Sequence, residues 1–210
     1  AQKAVAEAVV RLGRAAAVLT QLREASAQAL AQRITQHIRD LAMPNGVLQI
    51  KCGQLDKFMP LGRDELKFIF SANMGEPLND LEKVASGGEL SRIALAVKTV
   101  LMNRGDVGTM VFDEIDTGVG GVTAQKMAEK IAAISGVGQV LCITHLPQIA
   151  AKADQHFCIE KSVSDGHTHT RIHALSEEDS VLELARLLAG GQITDAVLAN
   201  ARELKKLARR

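Results

Sequence analysis

The chain has 210 residues, with 25 basic against 24 acidic side chains and a formal net charge of +1. That length holds one domain, or one domain with an appendage, and 47% hydrophobic against 23% charged residues rules out a disordered chain. Five Phe with no Tyr or Trp argue against a base-stacking nucleic-acid surface, and the near-zero charge shows no global DNA footprint, leaving only a local patch open.

Residues 1–43 contain no Pro and a single glycine, Gly13. Val5, Leu12 and Leu19 recur every seven residues, with Ala8, Ala15 and Leu22 as the second line of the seam, which predicts a coiled-coil strand. The phase then shifts to Leu30, Ile34, Ile38 and Leu41, a stripe suited to docking on a domain, until Pro44-Asn45-Gly46 stops the helix. The pattern begins in mid-helix, so the coiled coil and its partner strand are expected to extend outside the chain. No secretion signal stands at its start, and no apolar run reaches the roughly 18 residues of a membrane span.

Residues 46–85 predict a short β-meander, with strands at 47–51 and 68–70 split by turn residues from Pro60 to Asp64. Loop residues from Asn73 to Pro77 follow. A helix from about Glu89 carries Leu90, Ile93, Ala94, Val97, Val100 and Leu101 on one face. Strand 110–112, a helix with Met127, Ile131 and Ile134, and strand 140–143 make a strand–helix–strand unit, which implies parallel strands. Beyond Pro147, 157–159 and 168–172 flank a Ser164-Asp165-Gly166 turn as a hairpin. Helices at about 181–189 and 194–207 close the chain.

Three motifs carry chemistry. In Ser86-Gly87-Gly88-Glu89, two glycines let backbone approach an anion at a helix N-terminus. Ser86 and Glu89 also stand at capping-box spacing, so a well-capped helix is the plainer reading. Asp113-Glu114 end an apolar strand, where an open α/β sheet places chemistry. One carboxylate can hold the water shell of Mg²⁺ while the next orients or deprotonates a water; a polar turn is the alternative. His145 ends the next strand, and the parallel crossover puts it on the same sheet edge, although a lone histidine is more often structural.

Taken together, in order and within 60 residues, these motifs resemble the second half of an ABC-type ATPase head. Ile115-Asp116 follows the acidic pair without the Pro usual in transporter ATPases. With the leading coiled coil, this places the resemblance in the SMC-like, DNA-associated branch. Stretches 84–96, 112–121, 144–150 and 183–191 are similar to a bacterial DNA repair family of that branch, with resemblance from about residue 28 to 207.

The resemblance implies an α/β fold, the C-terminal lobe of an ABC/SMC-type P-loop ATPase head, with a parallel sheet flanked by helices. Residues 1–43 would end a coiled-coil arm, and 44–210 would form the lobe. It implies ATP and Mg²⁺ as cofactors, Asp113 as the metal-supporting carboxylate and Glu114 as the catalytic base. His145 would be the γ-phosphate switch. Ser86, Gly87, Gly88 and Glu89 would meet ATP held by a second head, and Asp116 would lie in the loop crossing that interface. No lysine in the chain follows a glycine, so the phosphate-cradling P-loop is absent here. The implied partners are an N-terminal P-loop half, a second ATP-sandwiched head and DNA, in a cytoplasmic, nucleoid-associated protein without membrane contact. A transporter-type or other ABC ATPase and a degenerate coiled-coil module are the competing classes.

Cys52, Cys142 and Cys158 are odd in number, widely spaced and never Cys-x-x-Cys. They predict small buried hydrophobes in a reducing compartment, with neither a disulfide framework nor a structural zinc site. His167, His169 and His173 share strand parity, as metal ligands would, but they flank a hairpin turn and no Cys or acidic cluster completes a site. Lys205, Lys206, Arg209 and Arg210 read as cations at a helix C-terminus more readily than as phosphate contacts.

Overall fold

The heptad-bearing segment forms one helix, α1 (Gln2–Arg39), in the computed structural model, which describes residues 2–83, 86–102, 108–164 and 167–208. The heptad positions Val5, Leu12 and Leu22 lie between 47% and 63% exposed, so this apolar seam is uncovered. Ile34, Ile38 and Leu41 are wholly buried. The docked stripe starts earlier than the phase shift at Leu30 predicts, since Ala16, Thr20, Ala27 and Ala31 are buried too. Helix α1 gives way to turns before Pro44, with Ala42 in the left-handed region at φ 64°.

What covers that longer stripe is a hairpin well beyond the predicted strands. Strand β1 (Val47–Met59) pairs antiparallel with β2 (Gly62–Ser71), and β3 (Asn79–Asp80) adds to β2, giving the order β1-β2-β3. At ~3.3 Å per residue a strand of this length reaches roughly 40 Å. Its outer half carries Leu55, Phe58 and Met59, which stay exposed and do not alternate with polar residues, so hydrophobic periodicity did not announce it. Two side-chain clamps hold it to α1. At the base, Leu48 N donates to Thr35 Oγ1 (3.1 Å), and that hydroxyl donates to Leu48 O (3.3 Å). Near the tip, Asp64, only 1% exposed, accepts from Thr20 Oγ1 (2.6 Å) and Arg23 Nη1 (2.7 Å), while Arg23 Nη2 donates to Leu61 O (2.7 Å). Gly62 closes the turn at φ +100°, a backbone conformation that favours glycine, and a Cβ there would also push Leu19 Cδ2, 2.9 Å away, aside.

Helix α2 (Gly87–Leu101) also packs on α1. Its buried face is Ile93, Leu95, Ala96 and Val100, whereas Leu90 and Ala94, expected inward, are exposed. The apolar residues of this helix exceed what one face holds, and the packing partner selects among them. These elements make up one compact unit, residues 1–101; residues 102–210 form a second.

In the second unit, β4 (Thr109–Phe112) and β5 (Gln139–Cys142) pair in parallel, with Met110 opposite Val140 and Phe112 opposite Cys142. The connection contains α3 (Gly121–Ser135), which buries Met127, Ile131 and Ile134 as its spacing predicts. A short helix, α4 (Pro147–Ala151), begins at proline and was not apparent from five residues of pattern. Strands β6 (Phe157–Ser164) and β7 (His167–Ala174) form the antiparallel hairpin; its predicted turn residues Asp165 and Gly166 lie outside the described residues. Helices α5 (Glu177–Ala189) and α6 (Asp195–Ala208) pack on α4 around Ala150, Leu184, Ala185 and Ala201. Helix α5 starts ahead of the expected residue 181 because Ser176 caps it, accepting from Asp179 N at 3.1 Å.

Lys205 departs from its sequence reading. It is 7% exposed, its ammonium donating to Ser180 Oγ, and Ser180 also meets His156 Nδ1 at 2.8 Å. A lysine enclosed this way cannot reach a phosphate backbone; Arg209 and Arg210 lie outside the described residues. Among the described residues no helix is long and apolar enough to cross a membrane.

The hydrogen bond from Thr20, then that from Arg23, hold the Asp64 carboxyl below its ordinary 3.8. A depressed folded-state pKa contributes stability that is present above the ordinary value and lost as pH falls through the depressed one. Asp64→Asn should therefore lower the melting temperature at pH 7, and the gap to the parent chain should narrow at about pH 3. Thermal melts at the two pH values check this; an equal gap at both would assign the effect to packing.

Candidate functional site

Parallel pairing sends the C-terminal ends of β4 and β5 to one sheet edge, where open α/β sheets collect their chemistry. The ladder continues one residue past the strands, Ile143 N donating to Phe112 O at 3.0 Å. Asp113 and Glu114 leave β4 on this edge, and Thr144 and His145 leave β5. Asp113 and Glu114 are both exposed. Glu114 holds a left-handed backbone at φ 56°, a conformation that costs a non-glycine residue about 1–3 kcal/mol. Two turns fix the loop beyond it, Thr117 N donating to Glu114 O (3.2 Å) and Val119 N to Asp116 O (3.1 Å).

That loop drives Ile115 and Asp116 inward, to 0% and 3% exposure. Asp116 Oδ2 accepts from Thr144 Oγ1 (2.6 Å) and His145 N (2.8 Å), and lies 3.1 Å from His145 Nδ1. Leu146 N in turn donates to Thr144 Oγ1 at 3.0 Å, leading into α4. The loop after β4 is thereby tied to the loop after β5 through one carboxylate oxygen. With Nδ1 turned to Asp116, the histidine tautomer with Nδ1–H is favoured. The His145 side chain is 67% exposed, so Nε2 is the nitrogen presented to a ligand. The sequence reading placed Asp116 in a loop crossing to a second head and gave Thr144 no role. The signal was available in part: a Thr-His pair ending a strand parallel to one that ends in acids.

Cys142, on the same edge, does not take part as a nucleophile. Burial first, then the charges of Asp116 and Asp113, push its thiol up to about 12. All three cysteines are free thiols, each half-buried and not fully enclosed as their sequence reading had them.

Ser86, Gly87, Gly88 and Glu89 belong to the first unit. Ser86 caps α2: its Oγ accepts from Glu89 N at 3.2 Å, and Leu90 N donates to its carbonyl at 3.1 Å. The plainer cap reading is thus realised, and it coexists with an exposed Gly87 at the helix start. Arg92, one turn on, is 8% exposed, and burial lowers its pKa despite the nearby Glu89. A cleft of about 740 Å³ between α1 and β1, lined by Gln28, Thr35, Leu48 and Cys52, holds none of the motif residues.

No family model matches the chain. It is 43% identical over 208 residues to the DNA repair protein RecN of Bacillus subtilis (strain 168), covering 92% of this chain and 36% of that protein. The DNA repair protein RecN of Treponema pallidum (strain Nichols) is 44% identical over 202 residues, covering 93% and 35%. The chain thus spans about a third of the length of the curated relatives it matches, in their C-terminal part. Among solved structures, the Smc head domain with a coiled coil and joint from Pyrococcus yayanosii aligns with a TM-score of 0.52 at 25% identity, over 75% of this chain and 28% of that one. The Smc head domain with an extended coiled coil from Pyrococcus furiosus, bound to the C-terminal domain of ScpA, gives a TM-score of 0.52 at 21% identity, over 88% and 44%. The fold is that of an SMC-type head lobe, with a long N-terminal helix and a parallel strand pair.

Asp116→Asn replaces a buried acceptor oxygen with an amide donor facing other donors. The expected cost is about 1–3 kcal/mol of stability. The imidazole ¹⁵N shifts of His145 should also move away from the Nδ1–H tautomer. Unchanged shifts in a folded variant would show that Asp116 does not orient the ring.

Proposed function

We infer that this chain, similar over about nine-tenths of its length to the C-terminal part of RecN, serves as the C-terminal half of an SMC-like ATPase in DNA double-strand-break repair and recombination. The observation that carries the reading is the buried Asp116 oxygen joining the loop after Asp113-Glu114 to His145. A strand-end acidic pair or a strand-end histidine has innocuous explanations singly; a pair of loops built to hold both on one edge does not.

The residues fit Mg²⁺ and ATP. Asp113 offers an exposed, hard oxygen donor at the end of β4, and Mg²⁺ commonly takes one or two carboxylates with waters and phosphates. When bound there, the ion supplies charge neutralisation to the phosphates. Glu114 orients the attacking water and takes its proton. His145 meets the γ-phosphate through Nε2, with Asp116 as its positioning residue. Thr117 and Gly118, exposed beyond Asp116, are the part of that loop available to a second head. Ser86, Gly87 and Gly88 at the start of α2 receive the γ-phosphate of ATP bound on that second head, so nucleotide joins two heads.

The phosphate-cradling loop comes from an N-terminal half returned by the coiled coil, and two features support this. Parallel sheets are normally covered on both faces, yet Val111, Leu141 and Ile143 are 64%, 49% and 50% exposed. The seam of α1 is likewise open. On this reading residues 1–43 end the arm and 44–210 form the lobe. DNA contacts lie on other parts of a cytoplasmic, nucleoid-associated protein, and the isolated chain does not turn over ATP.

In the complete protein, Glu114→Gln should cut turnover by about 10²–10⁴-fold while ATP-bound dimers accumulate on size-exclusion chromatography. Turnover near the parent rate would remove Glu114 from the base role. Ser86→Arg should abolish ATP-dependent dimerisation while each head still binds nucleotide. Equal loss of both, measured by light scattering and nucleotide titration, would overturn the contact across two heads.

A further inference from the structure

The three histidines of β7 do not form a set. Position 171, which shares their parity, is an arginine, and it stands opposite Glu160 on β6 between His169 and His173. The same register brings His173 directly opposite Cys158, and Glu160 follows Cys158 by two residues on the same face. One donor atom from each of Cys158, Glu160 and His173 lies within 4.8 Å of the other two, and among the described residues this is the group that gathers so. Metal–ligand bonds of about 2.0–2.3 Å put neighbouring donors around one ion closer than that, so small side-chain rotations close the set.

We propose that Cys158, Glu160 and His173 bind a divalent transition-metal ion of the zinc class, with the fourth position left to water. Donor chemistry selects the ion. A thiolate and an imidazole are poor ligands for Mg²⁺ or Ca²⁺, while sulfur, nitrogen and oxygen together suit Zn²⁺ and Co²⁺. Helix α5 adds charge at the right place: Glu183 is close enough to act on the Cys158 thiol, which burial and the carboxylates of Glu183 and Glu160 raise above its ordinary value. Arg186 is held by Glu183 through two bonds of 2.7 and 2.6 Å and so is not drawn into the triad, while Arg171 stands opposite Glu160 across the ladder. Cys158 gives up its proton to solvent on binding. The ion ties β6 to β7 at the hairpin's open end, away from its tip. The site is independent of the nucleotide chemistry on the edge of β4 and β5.

The test is titration of the full chain with Co²⁺. One equivalent should bind with thiolate-to-cobalt charge-transfer absorption and the intense visible bands of four-coordinate cobalt, and Zn²⁺ should displace it. Cys158→Ser should abolish the charge-transfer band, and His173→Ala should weaken binding by at least about tenfold. Cys52→Ser, Cys142→Ser and Ser162→Ala should leave it unchanged, with circular dichroism verifying the fold of each variant. Absence of the band in the parent chain would overturn the proposal. So would a band that follows Cys52 or Cys142, or one that survives Cys158→Ser.

Discussion

A carboxylate taken out of water must be met by donors or it destabilises whatever surrounds it, and Asp116 is met almost entirely by one short segment. Its Oδ2 collects the Thr144 hydroxyl, the His145 amide and the His145 ring. Satisfying that oxygen fixes the course of two loops at once, because Asp116 follows the acidic pair by only two residues. The strained backbone at Glu114 is sustained by the same arrangement: burial of Ile115 and Asp116 pulls the chain inward directly after it. Parallel pairing of β4 with β5 is the precondition, since antiparallel strands would have sent the histidine to the opposite edge.

A similar logic operates in the first unit. There the buried carboxylate is Asp64, and its partners Thr20 and Arg23 stand on α1. Hydrophobic burial holds the base of the hairpin, where Leu48, Ile69 and Phe70 are enclosed, but Leu55, Phe58, Met59 and Leu61 near the tip stay exposed. Charge-assisted hydrogen bonds and the glycine approach at Gly62 hold that end. The result is one helix with two characters. Its C-terminal part is packed, and its N-terminal part keeps an exposed apolar seam.

Much of this was legible beforehand. The seam, the Ile34–Ile38–Leu41 stripe, the parallel unit and the Met127–Ile131–Ile134 face all follow from periodicity, because burial on one side of a regular element imposes a repeat on the residues. The outer half of the β1–β2 hairpin was not legible, since Leu55, Phe58 and Met59 do not alternate with polar residues and a backbone ladder requires no particular side chains. The inward face of α2 was misjudged at Leu90 and Ala94 for the opposite reason: too many apolar residues admit more than one face. Lys205 looked like a surface cation because sequence does not show that Ser180 and His156 stand ready to enclose it.

The sequence by itself determined which chemical groups this protein carries and the order in which its elements offer them. Ser86-Gly87-Gly88, Asp113-Glu114 and His145 each sit where a helix starts or a strand ends, positions that local pattern marks. Only the tertiary structure decided which groups meet. Asp116 and His145 are joined across a crossover, and Cys158 and His173 across a hairpin register, at separations where chain connectivity imposes no distance. Such pairings depend on strand register and the satisfaction of buried polar atoms, and both are properties of the packed chain.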